Sequence, residues 1–201
     1  YVNNEMDPHI VHGYMPNAGF ESTRTAVAEN LNKRFGANFT FENIIMTVGA
    51  GSSINVIMKT IFDPGDKQIV FAPYFVEYAN WAGNYHAETV VVPPNEANGF
   101  EPDPEALKKA LDPKVKAVII NNPNNPTGAI YSRETLEQIA AVLKDAEKEY
   151  GHPIYIITDE PYRELVYVDK EIVFIPDLYD NTIIAYSWSK SLSIPGDRLG
   201  Y

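Results

Sequence analysis

Short apolar runs alternate with segments of helical periodicity along this chain. The apolar runs predict five strands, at residues 68–72, 88–92, 117–120, 154–158 and 182–186. The last two are continuously apolar, as expected for strands in a sheet that is covered on both faces. One helix face is marked, at the i, i+3, i+4, i+7 spacing, by Ile54, Ile57, Met58 and Ile61.

Helices are predicted before and between the strands, at residues 21–35, 53–62, 77–83, 104–111 and 132–150. The last of these has the clearest signal, because Ser132 can cap its N-terminus and apolar residues follow along one face. Strands that alternate with helices predict an α/β fold, with a mostly parallel sheet and helices on both faces.

Composition and charge narrow the classes of function. A formal net charge of -11 disfavours binding to nucleic acid, because the phosphate backbone is also negative. The chain has no cysteine, which excludes disulfides and thiolate metal sites and is typical of a reducing compartment. No apolar run approaches the roughly 20 residues of a membrane helix. We therefore expect a cytoplasmic protein with no nucleic-acid or membrane partner.

The carboxyl ends of the predicted strands carry the polar residues of interest. In parallel α/β sheets, ligands bind at these ends, which directs attention to residues 49–53, 121–128, 159–162 and 187–198. The four histidines predict no metal site, because only His9 and His12 are spaced as ligands could be and no cysteine joins them.

Asp159 directly follows a predicted buried strand, and Tyr162 comes three residues after Asp159. A carboxylate at such a position is costly unless a cation or hydrogen-bond donors face it, and a protonated ring nitrogen would serve. The alternative is that Asp159 only caps the following turn.

Residues 121–128 read Asn-Asn-Pro-Asn-Asn-Pro-Thr-Gly, a rigid loop in which Asn125 can donate to a phenolate-type oxygen. For an arbitrary loop, a tight connection between a strand and a helix would be an equally good interpretation, but this string is too particular for that.

Two further segments suit an anion. The small residues 49–53 lead into a helix, whose free N–H groups can bind a phosphate. Ser187, Ser189 and Arg198 can add hydroxyls and a guanidinium to the same group. Lys190, between the two serines, can form a Schiff base with a carbonyl cofactor, although most lysines are simply solvated.

Together these segments require a ligand with a carbonyl, a ring nitrogen, an aromatic oxygen and a phosphate. Pyridoxal 5'-phosphate has all four, and the protein would supply its orientation and electrostatics.

At these residues the sequence resembles the class I/II aminotransferases, a family of fold-type I pyridoxal-phosphate enzymes. The strings that carry the resemblance are Asn-Pro-Asn-Asn-Pro-Thr-Gly (122–128), Asp-Glu-Pro-Tyr (159–162), Ser-Trp-Ser-Lys (187–190) and Pro-Gly-Asp-Arg-Leu-Gly-Tyr (195–201). The resemblance implies catalytic roles for Lys190, Asp159 and Tyr162, with Lys190 holding the cofactor and moving a proton.

The resemblance also implies a set of cofactor contacts. Asp159 would pair with the ring nitrogen, Asn125 and Tyr162 would contact the ring oxygen, and Phe75 would stack on the ring. The residues expected around the phosphate are Ala50, Gly51, Ser187, Ser189 and Arg198. Tyr14, in a segment resembling the family's Tyr-x-Pro-x-x-Gly, would reach the phosphate of the other subunit, which implies a homodimer.

The family's organisation implies that residues 1–35 contribute to the dimer and active site and that 36–201 form the cofactor-binding large domain. We expect a small C-terminal domain to be absent and the chain to be part of a longer protein. The expected reaction moves an amino group from an amino acid to a 2-oxo acid. The first donor to expect is aspartate or an aromatic amino acid. Two alternatives stay open: a β-lyase or related eliminase or decarboxylase, and the ligand-sensing domain of a transcription regulator.

Overall fold

A computed structural model of the chain describes residues 13–201. These residues fall into two compact units that divide between Met46 and Thr47. Residues 1–12, with His9 and His12, lie outside the described residues. The functional roles assigned to 1–35 and 36–201 stay predictions. Within 13–201, no helix is long and apolar enough to cross a membrane.

The unit that ends at Met46 contains helix α1, Glu21–Phe35, as predicted. Gly36 ends this helix in the left-handed conformation, with φ at 71°, where a residue without a Cβ is favoured. The side chain of Arg24, in this helix, donates from Nη1 to the carbonyl oxygen of Phe41 over 3.0 Å. This hydrogen bond connects the helix to the segment that follows it.

The unit from Thr47 to Tyr201 is built on a parallel sheet of five strands in the order β2-β1-β3-β4-β5. Its strands are β1 Lys67–Phe71, β2 Glu88–Val92, β3 Val115–Asn121, β4 Tyr155–Asp159 and β5 Thr182–Ala185. Every neighbouring pair in the sheet is parallel, which confirms the predicted α/β class.

Helices cover both faces of this sheet, also as predicted. They are α2 Ala50–Ile61, α3 Glu77–Asn84, α4 Pro104–Ala110, α5 Arg133–Tyr150 and the short α6 Trp188–Ser191. Helices α4 and α5 pack on one face and α2 and α3 on the other, each with its own buried apolar cluster. Alternate strand residues feed the two clusters: Val118 and Ile120 belong to the first, and Ala117 and Ile119 to the second. This explains why the strands are continuously apolar.

One predicted boundary is wrong by more than two residues. Helix α2 was predicted over 53–62, but it begins at Ala50, with Gly49 as its N-cap. The first turn consists of small residues that carry no periodic apolar signal, so the hydrophobic pattern cannot detect it. As a result, Ala50 and Gly51 lie in the helix itself rather than in a loop before it.

Candidate active site

The strand ends bring the predicted site residues to one edge of the sheet. Asn121 ends β3 and Asp159 ends β4, and the two are paired directly across the sheet. Asp159 is paired in turn with Ala185, the last residue of β5, which is followed by Tyr186 and Ser187. The polar residues after three neighbouring strands therefore share one site.

Asp159 is buried, with 7% of its surface exposed. Its Oδ2 accepts a hydrogen bond of 2.5 Å from the hydroxyl of Tyr78. Its Oδ1 is also buried but has no hydrogen-bond partner among the described residues. Burial raises the pKa of Asp159 to about 7, with the nearby charge of Glu160 adding to the effect and the Tyr78 hydrogen bond opposing it. An open carboxylate oxygen of this kind is suited to a cationic donor.

Tyr78 is a site residue that the sequence did not reveal. It lies in α3 and is almost completely buried. Burial, together with the charge of Asp159, raises the pKa of Tyr78 well above its ordinary value, so the phenol stays protonated and donates. Tyr78 is separated from Asp159 by 81 residues, and no local pattern could have paired them.

An amide chain connects Asp159 to the loop at 121–128. Asn121 donates from Nδ2 to the backbone oxygen of Asp159 over 2.8 Å, and its Oδ1 accepts from the backbone N–H of Asn125 over 2.6 Å. The side-chain amide of Asn125 in turn lies 3.4 Å from the hydroxyl of Tyr162. The two residues expected to contact one ligand oxygen are thus adjacent.

Lys190 lies in α6, immediately beyond β5, and its side chain is exposed. Its Nζ is 5.8 Å from the centroid of the Tyr162 ring, which brings the amine beside the residues at the end of β4. Ser187 caps this helix by accepting from the backbone N–H of Ser189, and the two hydroxyl oxygens are 2.7 Å apart.

Arg198 is held beside the beginning of α2. Its Nη2 donates to the backbone oxygen of Val48 over 3.1 Å. Gly49 makes this approach possible, because a Cβ there would lie 2.7 Å from Arg198 Nη2, and its φ of 100° also favours glycine. A guanidinium therefore lies against Val48 and Gly49, directly before the first turn of α2, as an anion site requires.

Phe75 is partly buried and packs edge-on against two other rings, Tyr78 at 5.6 Å and Trp81 at 6.0 Å. Trp81, a second residue missed by sequence reasoning, also lies against Gly51, where a Cβ would come within 3.2 Å of its ring. Tyr14 belongs to the unit that ends at Met46, and its side chain is fully exposed. Its predicted phosphate contact stays a prediction.

Comparison with known proteins gives a consistent result. The sequence matches the family described as Aminotransferase class I and II over residues 3–201. An aspartate aminotransferase of Pyrococcus horikoshii is 38% identical over 94% of this chain and 47% of its own length. The aspartate/prephenate aminotransferase of Thermus thermophilus is 35% identical, over 94% of this chain and 47% of its own length.

Solved structures with the same architecture include an amino transferase from Eubacterium rectale. Its TM-score is 0.95 at 41% identity, covering 100% of this chain and 50% of that one. The Thermus thermophilus aspartate aminotransferase with maleate has a TM-score of 0.87 at 33% identity, covering 96% of this chain and 50% of its own. The chain thus spans about half the length of the relatives that it matches.

Proposed function

Since this chain belongs to the class I and II aminotransferases, we propose that it forms the pyridoxal 5'-phosphate site of an enzyme that transfers an amino group from an amino acid to a 2-oxo acid. The observation that carries the proposal is the buried Oδ1 of Asp159, which has no hydrogen-bond partner within residues 13–201 and lies in the same site as Asn125, Tyr162 and Lys190. The activity, its substrates and its partners are proposed for the whole protein.

The open oxygen of Asp159 fits a protonated pyridine nitrogen. Without a cation, burial favours the neutral acid, which is why the pKa of Asp159 is raised to about 7. A pyridinium N–H at Oδ1 would reverse this by favouring the carboxylate, while Tyr78 continues to donate to Oδ2. Asp159 would in return keep the ring nitrogen protonated.

The remaining contacts fit the other groups of the cofactor. The Asn125 amide and the Tyr162 hydroxyl, 3.4 Å apart, can both donate to the ring oxygen. The phosphate would be bound by the first turn of α2 at Ala50 and Gly51, the hydroxyls of Ser187 and Ser189, and the guanidinium of Arg198. Phe75 would cover one face of the ring.

Lys190, whose side chain is exposed, would have the two roles that the family resemblance implies. When bound, pyridoxal phosphate supplies a carbonyl that bonds to amines and a ring that accepts electrons from the substrate's Cα. Lys190 Nζ would hold the cofactor between turnovers. Once released, the same amine would remove the proton from the substrate's Cα and return a proton to the product.

The names of the relatives suggest which substrates to test first. The two relatives above are an aspartate and an aspartate/prephenate aminotransferase. We therefore propose aspartate as the amino donor, with a 2-oxo acid as the acceptor. A homodimer in which Tyr14 reaches the phosphate of the other subunit, and a cytoplasmic location, complete the proposal.

A visible absorbance spectrum of the protein with pyridoxal phosphate, before and after adding aspartate, tests this function. We expect an absorbance band that the free cofactor does not show. Borohydride reduction should trap the cofactor on Lys190, and aspartate should bleach the band. A protein that gives no band contradicts the cofactor assignment. A band that aspartate leaves unchanged contradicts the assignment of the donor.

A further inference from the structure

A buried ion pair adjoins the candidate site and has no role in the proposed reaction. Arg163 and Glu160 have side chains that are only 2% and 4% exposed, with Nε and Oε2 2.5 Å apart. Burying two charges is costly, and a pair of apolar residues is often as stable. This pair directly neighbours the site, because Glu160 follows Asp159 and Arg163 follows Tyr162.

The guanidinium of Arg163 also reaches the end of β5. Its Nη1 donates to the hydroxyl of Tyr201 over 3.1 Å, and its central carbon lies 4.8 Å from the centroid of the Tyr186 ring. Tyr186 and Tyr201 stack on each other at 5.1 Å. Their backbones exchange two hydrogen bonds, of 2.8 and 3.0 Å. Arg163 therefore fixes a pair of aromatic rings.

These two rings support the helix that carries Lys190. The hydroxyl of Tyr186 donates to Ser191 Oγ over 2.9 Å. The ring of Trp188 packs against Tyr186 at 5.6 Å and Tyr201 at 5.4 Å. Residues on both sides of Lys190 thus rest on the pair of rings.

On its other side, the ion pair is anchored to β4 and to the end of β5. Glu160 Oε1 accepts from the hydroxyl of Thr158 over 2.8 Å, and the Glu160 N–H donates to the backbone oxygen of Ala185 over 2.9 Å. The guanidinium of Arg163 therefore connects the end of β4, through Glu160, with the rings that support the helix of Lys190.

We propose that Arg163, held by Glu160, is a positioning residue that aligns the amine of Lys190 with the cofactor's carbonyl. The inference rests on the proposed function. The fork of a guanidinium can bond Glu160 and Tyr201 at once while its flat face covers Tyr186. Lysine offers a single point charge and cannot make these contacts together.

The test compares two cofactor forms in the double variant Arg163→Met/Glu160→Gln, which removes both charges together. Pyridoxamine phosphate carries an amine in place of the carbonyl, so it uses the ring and phosphate contacts but cannot bond to Lys190. We expect the dissociation constant of pyridoxal phosphate to rise about tenfold and that of pyridoxamine phosphate to stay within about twofold. Arg163→Lys, which keeps the charge, serves as a second variant if the first does not fold.

Arg133→Met is the matched control, because it removes the exposed ion pair that Arg133, on α5, makes with Glu171, with side chains 46% and 67% exposed. It is expected to change neither constant. An equal rise for both cofactor forms in the double variant, or no rise at all, overturns the positioning role.

The proposed function fails in a different way. In that case the unsubstituted protein itself binds neither form, or borohydride traps pyridoxal phosphate on a lysine other than Lys190. Either result overturns the positioning role as well, since that role depends on the Lys190 link.

Discussion

The hydroxyl of Tyr78 donates to Asp159 Oδ2 over 2.5 Å, while Oδ1 of the same carboxylate is buried and has no hydrogen-bond partner in the described part of the chain. Tyr78 comes from α3, after β1, whereas Asp159 ends β4. The hydrogen bond fixes the plane of the carboxylate, and so determines where the second oxygen is presented. The orientation of this acidic group therefore depends on a residue from a helix in a distant part of the chain.

Removing this donor should affect both stability and the titration of Asp159. Tyr78→Phe leaves a second buried carboxylate oxygen without a partner, which should lower the free energy of unfolding by about 1–3 kcal/mol. It should also raise the pKa of Asp159 further, because the Tyr78 hydrogen bond lowers it. Urea unfolding at several pH values measures both effects. Tyr85→Phe is the control, since the Tyr85 hydroxyl makes only a 3.4 Å contact with Asn55; equal losses in the two variants would contradict the prediction.

Asp159 should make the cofactor-free protein less stable as the pH rises. Its folded-state pKa of about 7 lies above the ordinary value of 3.8, so between these pH values the folded state binds more protons than the unfolded state. Stability from this group is complete below about pH 4 and is lost as the pH rises through about 7. Asp159→Asn should remove that slope and be the more stable protein at pH 8. The free energy of unfolding at pH 5 and 8 tests this, and parallel pH profiles for the two proteins would refute it.

Substituting Lys190 should separate cofactor attachment from folding. Lys190→Ala removes an exposed amine, so the thermal unfolding temperature of the cofactor-free protein should be unchanged. With pyridoxal phosphate added, the absorbance band and the borohydride trapping should disappear. Lys148→Ala, which removes another exposed lysine, paired with Asp145, should keep both signals. A normal band in Lys190→Ala would show that another group holds the cofactor.

Gly49 should matter for phosphate binding beyond its effect on the backbone. In Gly49→Ala the new Cβ would lie 2.7 Å from Arg198 Nη2 and displace the guanidinium. We expect about tenfold weaker binding of pyridoxal phosphate, as for the loss of a charge-assisted hydrogen bond. Gly65→Ala is closely matched, because Gly65 has a φ of 92° but open space around it. Gly65→Ala should lower the stability of the protein without weakening the binding of pyridoxal phosphate. Equally weak binding in both variants would count against the anion site.

The sequence predicted the sheet well because its signal is local. Each strand is a short apolar run, and each major helix carries its own periodicity or cap, as Ser132 does for α5. The positions of Asp159, Asn125 and Lys190 followed from the rule that strand ends meet at one edge. Tyr78, Trp81 and Arg163 could not be found in this way. Their importance comes from side-chain contacts between distant segments, such as Arg163 with Tyr201, which no periodicity records.

The strand order has one more consequence. Strand β1 has β2 on one side and β3 on the other, so the order reverses direction between β1 and β3. The chain leaves β1 toward α3 on one face and leaves β3 toward α5 on the opposite face. At such a topological switch point the two connections diverge and open a crevice at the sheet's edge. Phe75 and Tyr78 follow β1, whereas Asn121 ends β3 and Asn125 follows it. The room for a flat ligand between them is therefore created by the winding of the backbone.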